Sequence, residues 1–302
     1  MLAAQHPVAT PQATMPDLTP LYTFIASILP FPCMQVLFMQ QALVGLLLLA
    51  PMTAAMGILV INFRMAFFSE AISHSAFTGV ALGLLFSFSP HWTMPLFGLA
   101  IGIGITAAQR TSSLANDTVI GVFFSAMIAF GLAMVSRNRS LARDMQSFLY
   151  GDILSITEQD IWLFLFLFIA VAIFLTITYN RHLYIAIDPL LARTHRVPTA
   201  FLQYIFAGLL ALLVMFSVEA FGVFLVTAML VVPAASARNF AGSAGSMFWW
   251  ALFISLSSAI TGLLISAQEW ARTATGATIV LVASGWFMVS LASSVLLRRK
   301  NL

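Results

Sequence analysis

The apolar stretch 68–83 contains three polar residues spaced four positions apart: Glu70, His74 and Thr78. Residues four apart lie on the same face of an α-helix, so a helix here would align a carboxylate, an imidazole and a hydroxyl in one polar row. Imidazole nitrogen and carboxylate oxygen together suit a divalent transition metal such as zinc, manganese or iron. The spacing therefore makes Glu70 and His74 candidates for transient contacts with a metal ion.

A purely structural interpretation of this pair is also open. Glu70 would then cap the start of a helix at the membrane edge, and His74 would be a core histidine whose hydrogen bonds are satisfied within the protein. Ionisable residues within a membrane segment are costly, and the usual reason to keep them is a substrate or ion pathway. From the spacing alone, both interpretations stand.

A second row on the same stretch holds only small residues. Small side chains at a spacing of four residues allow another helix backbone to approach closely within a membrane. This row predicts that one face of the helix packs while the neighbouring face points into a pocket. Its members are Ala71, Ser75, Gly79 and Gly83.

The composition indicates a polytopic, all-α membrane protein. Hydrophobic residues make up 61% of the 302 residues, charged residues only 8%, and the mean hydropathy is +1.00. Such a chain has too little polar surface to enclose a soluble core. The one cysteine, Cys33, excludes a disulfide within the chain and a cysteine metal cluster. The net charge of +3 bears on membrane orientation and gives no reason to expect a nucleic-acid partner.

The chain divides into a tail, residues 1–35, and a transmembrane domain, residues 36–298. The tail is rich in proline and lacks a secretory signal pattern, so we expect it to be disordered or to lie on the membrane surface. Apolar runs of spanning or near-spanning length predict eight or nine transmembrane helices. They fall at about 36–61, 68–88, 93–109, 118–135, 161–179, 202–217, 220–236, 247–266 and 277–296.

The distribution of positive charge favours nine crossings over eight. The ambiguous stretch, 202–236, is too long for one span and just long enough for two that meet near Glu219 and Gly222. With two spans and the N-terminus outside, inner loops hold nine basic residues and outer loops four, the bias expected of cytoplasmic loops. The nine are Arg64, Arg110, Arg181, Arg193, Arg196, Arg238, Arg298, Arg299 and Lys300, and the four are Arg137, Arg139, Arg143 and Arg272.

Two loops contain helix-start signals. In the outward loop 136–160, Thr157 followed by Glu158 and Asp160 predicts a capped helix start, while Asp152 has either a turn role or a functional one. In the longest inward loop, 180–199, Asp188 reads as a helix N-cap followed by proline at the first helical position. We expect a short helix there that continues until Pro198. It either faces the cytoplasm or lies in the lipid headgroups.

Several catalytic and nucleotide-binding motifs are absent from the sequence. There is no Gly-x-x-x-x-Gly-Lys-Ser/Thr loop, so the chain does not bind ATP through a P-loop. There is also no His-Glu-x-x-His pair and no Gly-x-Ser-x-Gly elbow, which weakens an intramembrane hydrolase interpretation. Ions that pass through this chain must therefore move down their own electrochemical gradient, be coupled to the gradient of another ion, or be driven by a separate ATPase.

Four patches in order along residues 36–298 give the chain a family resemblance. It resembles the membrane permeases of bacterial zinc, manganese and iron ABC importers (the ABC-3 type), which are related to the vitamin B12 and siderophore permeases. Residues 64–83 are similar to the family pattern Gly/Ser-Asp-x-x-x/Ser-His-Ala/Ser-x-x-x-Gly-x-Ala-x-Gly. The other patches are 117–121, 149–157, and the set 188–193, 221–226 and 232–238.

The resemblance implies a permease subunit that performs no covalent chemistry and holds no tightly bound cofactor. It implies import of a divalent metal ion (Zn, Mn or Fe) by a homodimer in the bacterial cytoplasmic membrane, surrounded by lipid. Its implied partners are ABC ATPase subunits inside and a periplasmic or extracellular metal-binding protein outside. Within such a permease we expect Glu70 and His74 to contact the metal. The residues expected to support the pathway or gate are Ser73, Thr78, Asp152 and Glu219. Because the chain lacks a P-loop, we expect the capped inner helix to couple to the ATPase, through Asp188, Pro189, Leu190, Leu191 and Arg193.

The chain departs from the family pattern at two points. Glu70 stands where the family usually has aspartate, which keeps the charge but extends the side chain by one methylene. After Ala192 and Arg193 the family usually has a glycine at the third following position, whereas this chain has Arg196. These departures bear on metal preference and on the turn that follows the short inner helix.

Two rival functions remain for comparison. A secondary cation transporter or channel would move ions without an ATPase partner, and it predicts flux from the purified chain alone. A membrane enzyme would need a nucleophile and a base within the bundle, and the sequence supplies His74 without a convincing partner.

Overall fold

In a computed structural model of the chain, the structure describes residues 18–28, 31–137, 151–269, 271 and 273–300. Over these ranges all regular structure is helical, which confirms the predicted all-α class. Short 3₁₀ turns lie at Pro32–Gln35 and Ile153–Ser155. The α-helices are α1 (Thr19–Ile28), α2 (Leu37–Asn62), α3 (Phe68–Leu85), α4 (Pro90–Thr111), α5 (Asn116–Arg137), α6 (Glu158–Ile187), α7 (Pro189–Thr194), α8 (Thr199–Phe221), α9 (Val223–Phe240), α10 (Ala244–Ser266) and α11 (Thr275–Lys300).

Eight of these helices are long and apolar enough to cross a membrane, within the predicted range of eight to nine. They are α2, α4, α5, α6, α8, α9, α10 and α11. Helix α3, with 18 residues, is not among these eight, and it carries Glu70, His74 and several hydroxyl side chains.

The ambiguous stretch 202–236 folds as two helices, as the charge count predicted. Helix α8 ends at Phe221 and α9 begins at Val223, with Gly222 between them at φ +82°. Positive φ is open to glycine without steric cost, so Gly222 allows the chain to turn sharply. A Cβ atom on Gly151 would overlap the backbone of Phe221 and Gly222, so Gly151 packs directly on this joint.

The long helices run back and forth between two ends of the bundle. One end, which we call the basic end, is where α2 stops, α3 starts, and α7 lies between α6 and α8. Asn116 at the start of α5 donates a hydrogen bond to the carbonyl of Phe63, and Arg110 donates one to Gln203 on α8. The basic end carries Arg64, Arg110, Arg181, Arg196 and Arg238. The opposite end contains the 3₁₀ turn at 153–155 and the joint between α8 and α9.

Small residues hold α3, α4 and α8 in close contact. A Cβ on Gly79 of α3 would lie 2.8 Å from the Cα of Met94 on α4, closer than real Cβ atoms approach. A Cβ on Gly102 of α4 would lie 3.0 Å from the Cβ of Ala211 on α8. The predicted small-residue row on α3 is therefore a packing surface, and the helix after it fits against that surface.

Three turns after helices place a non-glycine residue in the left-handed region. The residues are Arg64 (φ 55°), Ser87 (φ 58°) and Arg196 (φ 57°). In each case the next residue's N–H donates to the carbonyl five positions earlier, the hydrogen bond of a Schellman C-cap. Arg196 stands where the family usually has glycine, so this chain makes the turn that glycine favours with an arginine.

Part of the predicted tail is an ordered helix. Tyr22 and Ile25 of α1 are buried and belong to the main apolar core. Gln40 on α2 donates a hydrogen bond of 2.8 Å to the carbonyl of Met34, which fixes the 3₁₀ turn at 32–35 on the bundle. Residues 1–17 and 29–30, which we also expected to be disordered or to lie on the membrane surface, are outside the described residues.

Candidate metal pathway and coupling surface

Glu70 and His74 contact each other on the first two turns of α3, as their spacing predicts. Nε2 of His74 lies 3.3 Å from Oε1 of Glu70. The His74 side chain is 20% exposed and the Glu70 side chain 29% exposed. The His74 ring also packs edge-on against Phe124 of α5, with 5.2 Å between ring centroids. The pair thus sits beside aromatic side chains while keeping part of its polar surface open.

The separation of these two atoms matches that of neighbouring ligands on one metal ion. With metal–nitrogen and metal–oxygen bonds of about 2.0–2.2 Å, two ligand atoms lie about 2.9 Å apart at a right angle and about 3.4 Å apart at the tetrahedral angle. The observed 3.3 Å falls between these values. A divalent ion could therefore replace the shared proton between Glu70 and His74 with little movement of either side chain.

The Glu70–His74 pair has no third metal-binding side chain beside it among the described residues. Within the part of the chain that the structure describes, no three His, Cys, Asp or Glu side chains come together in a group that could hold a metal. Asp152 and Glu219 therefore do not join Glu70 and His74. Zinc ordinarily takes four ligands, so an ion held by this pair would need water or a second protein chain to complete its coordination.

Buried hydroxyls accompany the pair on α3. Ser73 is fully buried and Thr78 is 1% exposed, and neither hydroxyl has a hydrogen-bond partner among the described residues. Ser69, four residues before Ser73, is buried in the same way. By contrast, the hydroxyl of Ser75 donates to the carbonyl of Ile72, the common arrangement within a helix.

Asp152 has a turn-capping role in the structure. Its carboxylate accepts a hydrogen bond of 3.2 Å from the backbone N–H of Leu154, at the start of the 3₁₀ turn. Further along, the hydroxyl of Thr157 and the carboxylate of Asp160 form a reciprocal capping box at the start of α6. The predicted helix start is confirmed, and Asp152 lies on the adjoining turn at the end opposite the basic end.

Glu219 pairs with a residue that the sequence analysis missed. Nδ1 of His91, in the first turn of α4, lies 3.2 Å from the carboxylate of Glu219, near the end of α8. The His91 ring packs edge-on against Trp92, with 5.4 Å between centroids. The two residues are 128 positions apart, so no local spacing in the sequence could have indicated the contact.

The short inner helix forms where predicted, although it is shorter. Asp188 accepts a hydrogen bond of 2.8 Å from the N–H of Leu190, and α7 runs from Pro189 to Thr194. The prediction that it continues until Pro198 is wrong, because the left-handed turn at Arg196 ends it earlier. Leu190 is 71% exposed, whereas Ala192 is fully buried. The side chains of Pro189, Leu191 and Arg193 lie outside what the structure describes.

His182 connects the two long helices that flank α7. It is fully buried near the end of α6, with Nδ1 3.0 Å from the carbonyl of Thr178 and Nε2 3.4 Å from the carbonyl of Leu202 on α8. Three phenylalanine rings surround the imidazole at centroid distances of 5.2–5.9 Å: Phe63, Phe174 and Phe206. Because Ile185, Ala192 and Leu202 share a small apolar cluster, α7 is held against this frame.

The fold and site together define a polytopic helical membrane protein with a carboxylate–imidazole pair on one of its helices. The family model of the ABC 3 transport family matches residues 35–294. The chain belongs to this family.

Characterised relatives cover most of the chain. It is 31% identical to the high-affinity zinc uptake system membrane protein ZnuB of Haemophilus influenzae over 83% of this chain and 95% of that protein. It is 31% identical to the manganese transport system membrane protein MntC of Listeria innocua, over 85% of this chain and 91% of that protein.

Solved structures share the fold. The structure of PsaBC from Streptococcus pneumoniae in complex with Fab matches with a TM-score of 0.71 and 27% identity, over 90% of this chain and 94% of that chain. A metal-chelate type ABC transporter in an inward-facing conformation matches with a TM-score of 0.67 at 17% identity, which shows the fold alone.

Proposed function

We propose that this chain is the transmembrane permease subunit of an ABC importer that moves a divalent transition metal, zinc or manganese and possibly iron. The observation that carries the proposal is the Glu70–His74 pair, with a nitrogen–oxygen separation of 3.3 Å on a helix of the bundle. Membership of the ABC 3 transport family and the zinc and manganese names of its relatives support this substrate class. The metal is cargo, held transiently and released.

The proposed transporter is a homodimer with its metal pathway lined by α3 from each copy. Partly exposed ionisable side chains are costly against lipid, so the face bearing Glu70 and His74 needs a protein or water-filled surface opposite it. A second copy would bring a second carboxylate and a second imidazole, giving four ligands in total where one chain supplies two. Ser73 and Thr78, buried without partners, would then offer hydroxyl oxygens to the ion or to its remaining water.

The proposed orientation places the basic end in the cytoplasm of a bacterial cell, beneath the inner membrane. The nine-to-four distribution of basic residues supports it. The joint at Gly222, with Asp152 and Glu219 nearby in the fold, would then face outward, where an external metal-binding protein docks. These two acids would support the outer gate.

Helix α7 is the proposed contact with the ATPase subunits, since the chain has no P-loop of its own. A short capped helix is rigid enough to transmit motion from a partner, and α7 rests on the frame formed by α6, α8 and His182. Leu190 and Leu191 would enter a groove on the ATPase, and Arg193 would pair with an acid there. ATP hydrolysis then takes place on the partner, and this chain is not itself an enzyme.

Uptake by the reconstituted complex tests the metal pathway. Glu70→Gln and His74→Ala should each reduce radioactive zinc or manganese uptake at least ten-fold while the complex still assembles. Glu269→Gln, an exposed carboxylate near the end of α10, is the matched control and should transport normally. Normal uptake rates in both pathway variants would show that the site lies elsewhere. Metal flux from the purified chain without any ATPase would favour a secondary transporter or channel instead.

A further inference from the structure

We infer that His91 and Glu219 form a second divalent-metal site, at the end of the bundle opposite the basic end. His91 comes from the first turn of α4 and Glu219 from the last turn of α8. The two helices are held together by close contacts of small residues, including Gly102 against Ala211. The packing of α4 against α8 therefore fixes the backbone positions of His91 and Glu219, and the contact between their side chains does not.

The atoms of this pair have the separation that one metal ion requires. Nδ1 of His91 lies 3.2 Å from Oε1 and also 3.2 Å from Oε2 of Glu219. These distances fall between the values of about 2.9 Å and about 3.4 Å for neighbouring ligands at right and tetrahedral angles. The two carboxylate oxygens of Glu219 are thus equally distant from Nδ1 of His91. A metal ion between the two side chains would be chelated by the carboxylate and Nδ1.

The charge around Glu219 also favours a cation. Among the residues that the structure describes, the ion-pair partner of Glu70 is His74 and that of Glu219 is His91, so neither carboxylate is neutralised by an arginine or a lysine. The side chains of His91 and Glu219 are 46% and 40% exposed, more than those of the pathway pair. Water can complete the coordination, and an ion bound there can exchange quickly.

The role of this site rests on the proposed function and orientation. If the basic end faces the cytoplasm, His91 and Glu219 lie at the outer end, where the metal arrives. They offer an arriving ion the same two ligand types that it meets at Glu70 and His74. We assign them as a receiving site that raises the local concentration of metal before it enters the pathway.

Trp92 provides a direct readout of occupancy, because its ring lies 5.4 Å from the ring of His91. Cobalt(II) is a zinc-like paramagnetic ion that quenches tryptophan fluorescence over short distances. We would titrate the full chain, purified in lipid nanodiscs, with Co²⁺, and take the Trp92 signal as the difference between the parent and Trp92→Phe. Saturable quenching is expected in the parent and in chains carrying Glu70→Gln or His74→Ala.

His91→Ala and Glu219→Gln should each raise the apparent Kd of this signal at least ten-fold. His195→Ala and Glu269→Gln, which change exposed residues of the same types elsewhere, should leave it unchanged. Quenching that does not saturate, or that persists in His91→Ala, would overturn the site. Loss in His91→Ala with full retention in Glu219→Gln would overturn chelation by the pair.

Uptake measurements separate this inference from the proposed function. In the complete transporter, His91→Ala should raise the zinc concentration for half-maximal uptake several-fold and leave the maximal rate unchanged. Glu70→Gln should instead lower the maximal rate while the Trp92 signal persists. Uptake by His91→Ala that matches the parent at every zinc concentration would overturn the receiving role. Loss of the maximal rate in His91→Ala would overturn it as well.

Discussion

Gly57 of α2 lies so close to Leu230 of α9 that a Cβ at position 57 would overlap the carbonyl oxygen of Leu230. Both residues are buried, and the two helix backbones approach each other closely at this point. We expect Gly57→Ala to lower the thermal stability of the purified chain, since overpacking in a well-packed core costs about 1–3 kcal/mol. Gly121→Ala is the control, because a Cβ there meets no atom within 4 Å. Equal melting temperatures for the two variants would contradict the close crossing.

Arg196→Gly should stabilise the turn after α7. Arg196 has φ 57°, a conformation that costs a non-glycine residue roughly 1–2 kcal/mol. The variant should slow hydrogen exchange at the N–H of Val197, which bonds to the carbonyl of Ala192. Gly222→Ala, at φ +82°, is the opposite change and should destabilise the joint between α8 and α9. Faster exchange at Val197 in Arg196→Gly would argue that the arginine side chain stabilises the turn.

The N-cap of α7 should matter for energy coupling. Asp188→Ala removes the carboxylate that accepts from Leu190, a loss of about 0.5–2 kcal/mol of helix stability. We expect ATP hydrolysis by the complex to continue with less metal transported per ATP, and Asp188→Asn, which can still cap, to restore most of the ratio. Leu191→Asp and Arg193→Glu should uncouple transport or dissociate the ATPase. Normal co-purification and coupling in all these variants would place the docking surface elsewhere.

Glu70→Asp should change metal preference more than it changes the rate of uptake. Shortening the side chain by one methylene keeps the charge but draws the carboxylate away from Nε2 of His74, now 3.3 Å distant. The ratio of zinc to manganese uptake, measured in competition, should therefore shift several-fold. An unchanged ratio would mean that the extra methylene in this chain does not tune the site.

Cysteine labelling checks the proposed orientation. In a Cys33→Ser background, a cysteine at position 143 should react with an impermeant reagent added to intact cells. A cysteine at position 193 should react only after permeabilisation, because α7 lies at the basic end. The reverse labelling pattern would invert the orientation and move His91 and Glu219 to the inside.

The sequence alone determined the features that depend on neighbouring residues. The apolar runs gave the long helices, Gly222 divided the stretch 202–236, and the capping signals at Thr157 and Asp188 located the starts of α6 and α7. The contact between Glu70 and His74 was also predictable, because residues four apart on a helix always lie side by side. The functional roles of these residues remain proposals from the sequence and the family.

Tertiary structure decided the contacts between distant segments. His91 and Glu219 meet across 128 residues because small side chains bring α4 and α8 together, and His182 reaches Leu202 because α6 and α8 pack beside α7. The early end of α7 also escaped prediction, since arginine rarely adopts a positive φ and its type does not signal such a turn. Local spacing fixes which side chains share a helix face, whereas only the packing of whole helices fixes what those faces meet.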